Sequence, residues 1–594
     1  MRVGADTGGT FTDVVTDDGR VTKVLSTPDD PGAAVRAGVA ELVGPAPPTH
    51  LAHGTTVATN AVLEGTVAAV ALVTTSGLAD VIEIARQDRP SLYDARVVRP
   101  TPLVPRSWRL EVGGRLAPDG SELEPLDDAG IPAIPAEAEA VAVCLLHADL
   151  EPAHEQQVAA VLRHRGLDVS CSHEVSPEVR EVERTVTTVL NASLRPRCRT
   201  YLHGIEATAD EVEVMTSAGG LVPVRDAAEL PAALLLSGPA GGVQAGAAAA
   251  AANGFPDAIT FDMGGTSTDV CLVLGGAPAP ASQRSVGGHP VRFPSLDIHT
   301  IGAGGGSLAG LDPGGALVVG PRSAGARPGP ACYGFGGTEP TVTDADLVAG
   351  RIPAGSTFGG LSLDREAAAA ALERAGVGAE GVIEVVDAAM ERALRAVSVE
   401  RGIDPRALAL VAFGGAGPLH ACALAEALDM AAVVVPARAG VLSAVGLLTS
   451  PRQRDLVRSW PSPADHAGLP AALAEIATRA AALVGAGATT ATSLDCRYAG
   501  QSHEITVPAV DAFHEAHRQR NGFARLDAPV EVVALRARAT RPPARTLADL
   551  PAPVRRSATG PIALAEPDCT IWVPAGWHAS PGAAGALVLR REAP

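Results

Sequence analysis

Two apolar patterns alternate along the first 450 or so residues. Short, near-continuous runs such as residues 68–74 (Ala-Ala-Val-Ala-Leu-Val-Thr) and 140–146 (Ala-Val-Ala-Val-Cys-Leu-Leu) show no polar alternation. That is the signature of a strand covered on both faces. Between such runs lie Ala-rich stretches of helical character. The strongest is residues 376–401, where Val385, Ala388, Ala389, Leu394 and Val397 are available for one apolar face. Strands alternating with helices predict an α/β protein. Near Trp460-Pro-Ser-Pro463 the composition shifts, and a smaller C-terminal α+β region is expected. It is predicted to hold an Ala-rich helix over 470–484 and strand-like pieces around 495–507 and 530–538. Arg541-Pro-Pro-Ala-Arg545 and Leu550-Pro-Ala-Pro553 read as linkers. The most apolar stretches, 232–252 and 430–448, are interrupted by Gly, Pro or Arg, so buried units are expected there and not membrane spans.

One polar pattern occurs twice. Asp6-Thr7-Gly8-Gly9-Thr10-Phe11-Thr12-Asp13-Val14 and Asp262-Met263-Gly264-Gly265-Thr266-Ser267-Thr268-Asp269-Val270 both read D-x-G-G-T-x-T-D-V. Each leaves one apolar stretch and enters another, as a β-hairpin with a glycine turn does. The paired glycines let backbone approach a ligand closely, and turn amides with threonine hydroxyls cradle phosphate oxygens. The leading aspartates, Asp6 and Asp262, suit a hard cation such as Mg²⁺ held through water. Two such hairpins facing each other form a clamp for a nucleoside triphosphate. No longer period recurs, so a solenoid is excluded.

Composition narrows the choice. The formal net charge of −19 speaks against a nucleic-acid partner. Lys23 is the only lysine, so no G-x-x-x-x-G-K-[ST] loop exists. The eight cysteines are scattered and form no C-x-x-C pair, which fits free thiols in a reducing cytoplasm. No signal-peptide pattern opens the chain, and a cytoplasmic protein is expected.

Four more glycine-rich segments stand out: His53-Gly-Thr-Thr-Val-Ala-Thr-Asn60, Ser237-Gly-Pro-Ala-Gly-Gly-Val243, Ile301-Gly302-Ala-Gly304-Gly305-Gly-Ser307 and Phe413-Gly414-Gly415-Ala-Gly417-Pro-Leu-His420. The second precedes an Ala-rich helix, whose N-terminal amides suit an anion. The third follows Asp297-Ile-His299. Any one of them alone is a turn before it is a ligand site; their order behind two matching hairpins is what carries information.

That order resembles the actin, heat-shock 70 chaperone and sugar-kinase superfamily. More closely, the chain resembles the hydantoinase A / 5-oxoprolinase family. The resemblance runs through both hairpins, residues 53–60 and 238–242, Asp297 to Ser307, Gly325-Ala-Arg-Pro-Gly-Pro-Ala-Cys-Tyr333, Val399-Glu-Arg-Gly-Ile-Asp-Pro405, residues 412–421 and Arg497-Tyr-Ala-Gly-Gln501. It implies duplicated actin-like (ribonuclease H-like) ATPase halves at 1–172 and 173–460, followed by the C-terminal region at 461–594. It also implies an ATP-dependent hydrolase subunit that phosphorylates the carbonyl oxygen of a cyclic amide (a hydantoin, 5-oxoproline or a lactam) and so drives ring opening. The alternative is a subunit of an ATP-dependent ketone carboxylase of the acetone or acetophenone type. A nucleotide-gated binding protein and a sugar kinase are further readings. By resemblance, Asp6, Thr7, Gly8, Gly9, Thr10 and Thr12 bind the β/γ-phosphates. Asp262, Gly264, Gly265, Thr266 and Thr268 face them, with Asp6 and Asp262 beside Mg²⁺. Gly414, Gly415 and Gly417 sit at the adenosine. Gly302, Gly304 and Gly305, with Asp297 as general base and His299 as oxyanion donor or ligand of a second divalent metal, lie on the substrate side. The expected partner is a hydantoinase B-like subunit in a hetero-oligomer, with no nucleic acid and no membrane.

Overall fold

A computed structural model of the chain describes residues 1–592 apart from positions 10, 28, 29, 88, 95, 282, 354, 359 and 360. In the first half, β1 (Arg2–Thr7), β2 (Phe11–Thr16) and β3 (Val21–Leu25) form an antiparallel meander. β4 (His50–Thr55) and β5 (Val212–Met215) follow in parallel on the other side of β1. The spatial order is β3-β2-β1-β4-β5. A 13-residue helix, α1 (Ala240–Ala252), leads to the second half. There β6 (Ala258–Met263), β7 (Thr268–Leu274) and β8 (Ala277–Pro278) form the meander. An extra strand, β9 (Ile298–Ile301), also pairs with β7; α2 (Ala379–Val397) follows. β10 (Ala409–Phe413), α3 (Gly417–Ala427) and β11 (Ala432–Val435) complete the half, and the order β8-β7-β6-β10-β11 repeats the first. The fold is thus α/β with two actin-like halves, and α4 (Leu442–Thr449) closes the second.

Strands covered on both faces read as unbroken apolar runs, and they are. Every residue of Val70–Thr75 and Ala140–Cys144 is buried, in a four-stranded sheet inserted between β4 and β5. Helix α2 forms where expected but buries a neighbouring stripe. Val382, Ile383, Val386, Met390, Ala393, Leu394 and Val397 face the core, whereas Ala388 is exposed and Val385 and Ala389 only half-buried. The larger side chains at a spacing of three to four win the buried face.

The C-terminal residues do not sit at one place. Strands Arg452–Ser459, Thr489–Tyr498, Ile505–Val507 and Val530–Arg541 extend the first sheet, and helix Leu469–Val484 packs on them. Strands Ala558–Thr559, Trp577–Pro581 and Leu587–Arg591 extend the second, and Trp577 is buried in its core. Sheet membership therefore crosses the sequence limits at 172 and 460.

The closing helices exchange sides. α1 packs against β6 and β10 of the second half, and α4 packs against β1, β2 and β4 of the first. They cross at glycines. A Cβ on Gly446 would lie 1.8 Å from the Gly241 carbonyl oxygen, and one on Gly241 would lie 2.7 Å from that of Ser443. Gly4 on β1 is equally tight, with 2.3 Å from a Cβ to the Ala444 carbonyl oxygen. Gly241 thus serves backbone contact between helices, whereas a Cβ on Gly242 would meet the Phe413 ring and the Ser443 hydroxyl. We expect Gly446→Ala to cost about 2 kcal/mol or more, because the contacting atom is backbone and cannot rotate away. Urea denaturation checks this, and Ala444→Gly in the same helix gives the size of a simple helix-propensity loss.

Candidate active site

The two D-x-G-G-T hairpins have the same internal register. Asp6 lies opposite Asp13 and Thr7 opposite Thr12; Asp262 lies opposite Asp269 and Met263 opposite Thr268. One hydrogen bond closes each turn: the Gly8 amide donates to Phe11 O at 3.0 Å and the Gly264 amide to Ser267 O at 3.1 Å. The amides of Gly9, Gly265 and Thr266 then make no hydrogen bond among the described residues. They are spare donors at the loop tips, as an anion cradle requires. Thr10 lies outside the described residues.

Directly opposed residues of an antiparallel pair share a face, so Asp6 with Asp13, and Asp262 with Asp269, project together. A glycine clears room for each leading carboxylate. A Cβ on Gly54 of β4 would come 2.6 Å from Asp6 Oδ1, and a Cβ on Gly414, at the end of β10, 2.4 Å from Asp262 Oδ1. Neither Asp6 nor Asp262 accepts a hydrogen bond from a described residue. Burial, then the charge of Asp13, pushes the Asp6 carboxyl up to about 7. Burial, then Asp269, Asp6 and Asp13, pushes Asp262 well above the carboxylate range. Since Asp6 and Asp13 act on Asp262 across the cleft, the two hairpins face each other. Asp269 is pushed up to about 6 by burial, opposed by a 2.5 Å hydrogen bond from Thr300 Oγ1. Burial also raises Asp13, opposed by Lys23, whose Nζ lies 2.6 Å from Asp13 Oδ1. Carboxylates without donors and held above their ordinary range fit a hard divalent cation, which replaces the proton they otherwise retain.

The remaining candidates fall into different roles. The loop after β9 buttresses the second hairpin from behind. The Gly305 amide donates to Gly264 O (3.0 Å) and the Gly306 amide to Gly265 O (2.7 Å); a Cβ on Gly304 would meet Gly264, Gly265 and Thr266 at 2.8 Å. Gly302 is packed against Pro321. Thr268 Oγ1 donates to Ala303 O at 2.6 Å. Thr12 Oγ1 lies within hydrogen-bond distance of Thr7 Oγ1 and Ser26 Oγ, inside its own hairpin. These hydroxyls lock the loops. Gly414 (φ +80°) and Gly415 are half-exposed beside Asp262, and Gly417 opens α3; the Ala416 amide caps Met263 O at 3.0 Å. Asp297 and His299 are not brought to the carboxylate face. Register places Thr300 opposite Asp269 and His299 opposite Val270, so His299 lies on the other face of β7, and Asp297 comes just before β9. There Asp297 is ion-paired with Arg401.

Three further groups shape the site. Gly54 was visible only as the middle of His53-Gly-Thr. His53 itself is buried and lowered to about 4 by burial; it bridges Ala5 O (2.9 Å) and the Tyr201 hydroxyl (2.5 Å), tying β4 to β1. His420, on α3, is fully buried between Asp387 (2.7 Å) and Asp346 (3.3 Å). Burial pulls it down, but the two carboxylates outweigh that and raise it to about 10. This imidazolium fixes α3, and with it the Gly414–Gly417 turn, to the helices carrying Asp346 and Asp387.

Family models describe the same arrangement. Residues 2–166 match the hydantoinase/oxoprolinase N-terminal region and residues 184–455 match hydantoinase/oxoprolinase. The chain belongs to the hydantoinase/oxoprolinase family. It is 37% identical to the caprolactamase subunit alpha of Pseudomonas jessenii, over 94% of this chain and 90% of that one. It is 35% identical to the acetophenone carboxylase gamma subunit of Aromatoleum aromaticum, over 74% of this chain and 66% of that protein. Its structure superposes on the crystal structure of ATP-dependent caprolactamase from Pseudomonas jessenii with a TM-score of 0.86 and 32% identity, covering both chains fully. In this hydantoinase/oxoprolinase-family chain all eight cysteines are buried and free, and no described helix is long and apolar enough to cross a membrane.

The raised carboxylates give a pH prediction. Between the ordinary carboxylate range and about 7, the folded chain holds protons on Asp6 and Asp269 that the unfolded chain has released, so these groups make stability fall as pH rises through that window. In EDTA, the melting temperature of Asp6→Asn should fall less than that of the parent between pH 5 and pH 7.5. Mg²⁺ should stabilise the parent more at pH 7.5 than at pH 5, and Asp6→Asn less at both.

Proposed function

We propose that this chain binds MgATP between its two hairpins and phosphorylates the carbonyl oxygen of a cyclic amide, of the lactam class first, so that the ring opens. The observation that carries this reading is the pair of facing carboxylates, Asp6 and Asp262, each without a hydrogen-bond donor among the described residues and each cleared by a glycine. Bound there, ATP supplies an electrophilic phosphoryl group. The amides of Gly9, Gly265 and Thr266 would hold the phosphate oxygens, and Asp6 and Asp262 would hold Mg²⁺, which would supply charge neutralisation there. Phosphoryl transfer asks mainly for such positioning and charge neutralisation. As the amide oxygen bonds to phosphorus, the bond to the departing ADP oxygen breaks; the resulting phosphorylated imidate is open to water at carbon. The Gly414–Gly417 turn, fixed through His420, is the adenosine side.

His299, on the opposite face of β7, and Asp297, ion-paired with Arg401, are read as supports of the loop behind the second hairpin. The similarity to caprolactamase and the subunit names of both relatives support a two-component enzyme, with a hydantoinase B-like partner completing the reaction on the opened ring. Similarity to the acetophenone carboxylase gamma subunit supports the alternative, in which a phosphorylated enolate is carboxylated.

The test is ADP and phosphate release by the chain together with its neighbouring B-type subunit. Caprolactam, 5-oxoproline, hydantoins and ketones are each supplied with and without bicarbonate. Turnover with cyclic amides, indifferent to bicarbonate, supports the proposal; turnover only with a ketone plus bicarbonate replaces it by the carboxylase. Asp262→Asn should lower kcat by roughly a hundredfold or more, as loss of a metal-holding carboxylate does. Asp297→Asn should retain most of kcat.

A further inference from the structure

The duplicated hairpins are not electrostatic twins. In the second half, Asp269 faces a neutral hydroxyl, Thr300 on β9. In the first half, the matching Asp13 faces Lys23 on β3, the chain's only lysine. The two residues lie directly opposite each other, with Nζ 2.6 Å from Oδ1 and side chains 19% and 18% exposed. The ammonium also stands 5.4 Å from the centre of the Phe11 ring, the residue that closes the Gly8 turn. It acts on both hairpins, opposing the elevation of Asp6, Asp13 and Asp262 alike. Four hairpin carboxylates therefore converge where a polyanion is to bind, with the Lys23 ammonium against Asp13 and the charge of Arg284 acting on Asp269; Asp568 adds a further negative charge near Asp13.

We propose that Lys23 is a positioning residue of the phosphate site: its ammonium neutralises Asp13, so that metal and triphosphate meet three carboxylates instead of four. Lys23 does this from the next strand: it lies directly opposite Asp13, so it shares the face of Asp6 and Asp13, and it is engaged by Asp13 beside the Phe11 ring. Its other side lines a cavity of about 890 Å³ between β3 and residues 553–568, which gives reagents access to it. A like charge left unbalanced at that distance from a triphosphate is worth about an order of magnitude in affinity. The inference rests on the reading of the cleft as a MgATP site.

The experiment is calorimetric binding of a non-hydrolysable MgATP analogue, with thermal melting alongside. Lys23→Met should weaken binding roughly tenfold and raise KM for ATP with little change in kcat. Lys23→Arg should restore it. The double variant Asp13→Asn/Lys23→Met, with charge balance restored, should bind within about threefold of the parent. Unaltered binding by Lys23→Met overturns the proposal. So does a double variant that melts normally yet binds as poorly as Lys23→Met, because the lysine then touches the nucleotide itself. Should Lys23→Met fail to fold, the native protein serves: reductive dimethylation keeps the charge and should leave binding intact, whereas acetylation removes it and should weaken binding. Equal effects of the two reagents count against the proposal. A parent protein that binds no analogue at all would instead remove the reading of the cleft.

Discussion

The cleft depends on how closely two helices can cross. α1 and α4 each leave one half and pack on the sheet of the other, and at Gly241 and Gly446 their backbones touch with no room for a side chain. This exchange makes the two halves one body. It also sets the two hairpins opposite each other, since β1 and β6 are the strands that α4 and α1 respectively cover. A larger residue at the crossing pushes apart helices whose contacts are backbone on backbone, and with them the sheets that carry Asp6 and Asp262.

What the crossing brings together is costly. Four part-buried aspartates at one cleft repel one another, and Asp6 and Asp262, which accept no hydrogen bond from a described residue, are held above the carboxylate range. Under the proposed function, a divalent cation bound there would replace the protons these carboxyls otherwise retain. The two halves treat the cost differently. The first balances its second aspartate with an ammonium, and the second uses a threonine hydroxyl from an inserted strand. The hydroxyl comes from β9, the strand that leads into the Gly302–Ser307 loop, so the same insertion that relieves Asp269 also clamps the backbone of Gly264 and Gly265. Duplication supplied the frame; insertion differentiated it.

Much of this was legible along the chain because the signal is local. A D-x-G-G-T-x-T-D turn fixes its own register: strand alternation and the glycine turn place Asp6 with Asp13 and Asp262 with Asp269 without any distant contact. The buried strands at 70–75 and 140–144 were equally plain, since apolar runs report burial on both faces. Helix α2 was found but its inner face was displaced by one stripe, because several apolar residues competed and only packing chose Val382, Val386 and Met390. The glycine loops were misleading in a specific way. A glycine needed for backbone contact, such as Gly241 or Gly304, looks the same in sequence as one needed for a phosphate. Asp297 and His299 stand beside the loop that packs on the second hairpin, yet one-residue alternation on β9 turns His299 to the opposite face and Asp297 is paired with Arg401.

The sequence by itself determined the two D-x-G-G-T hairpins, their α/β setting and, through residues shared with relatives, the family. These are written in short stretches whose geometry closes on itself. Only the tertiary structure decided that Gly54 and Gly414 make room for the leading aspartates, that Lys23 and Thr300 distinguish the hairpins, and that the C-terminal strands complete both sheets. Each of these joins residues far apart in the chain, where composition and spacing carry no record of which face meets which.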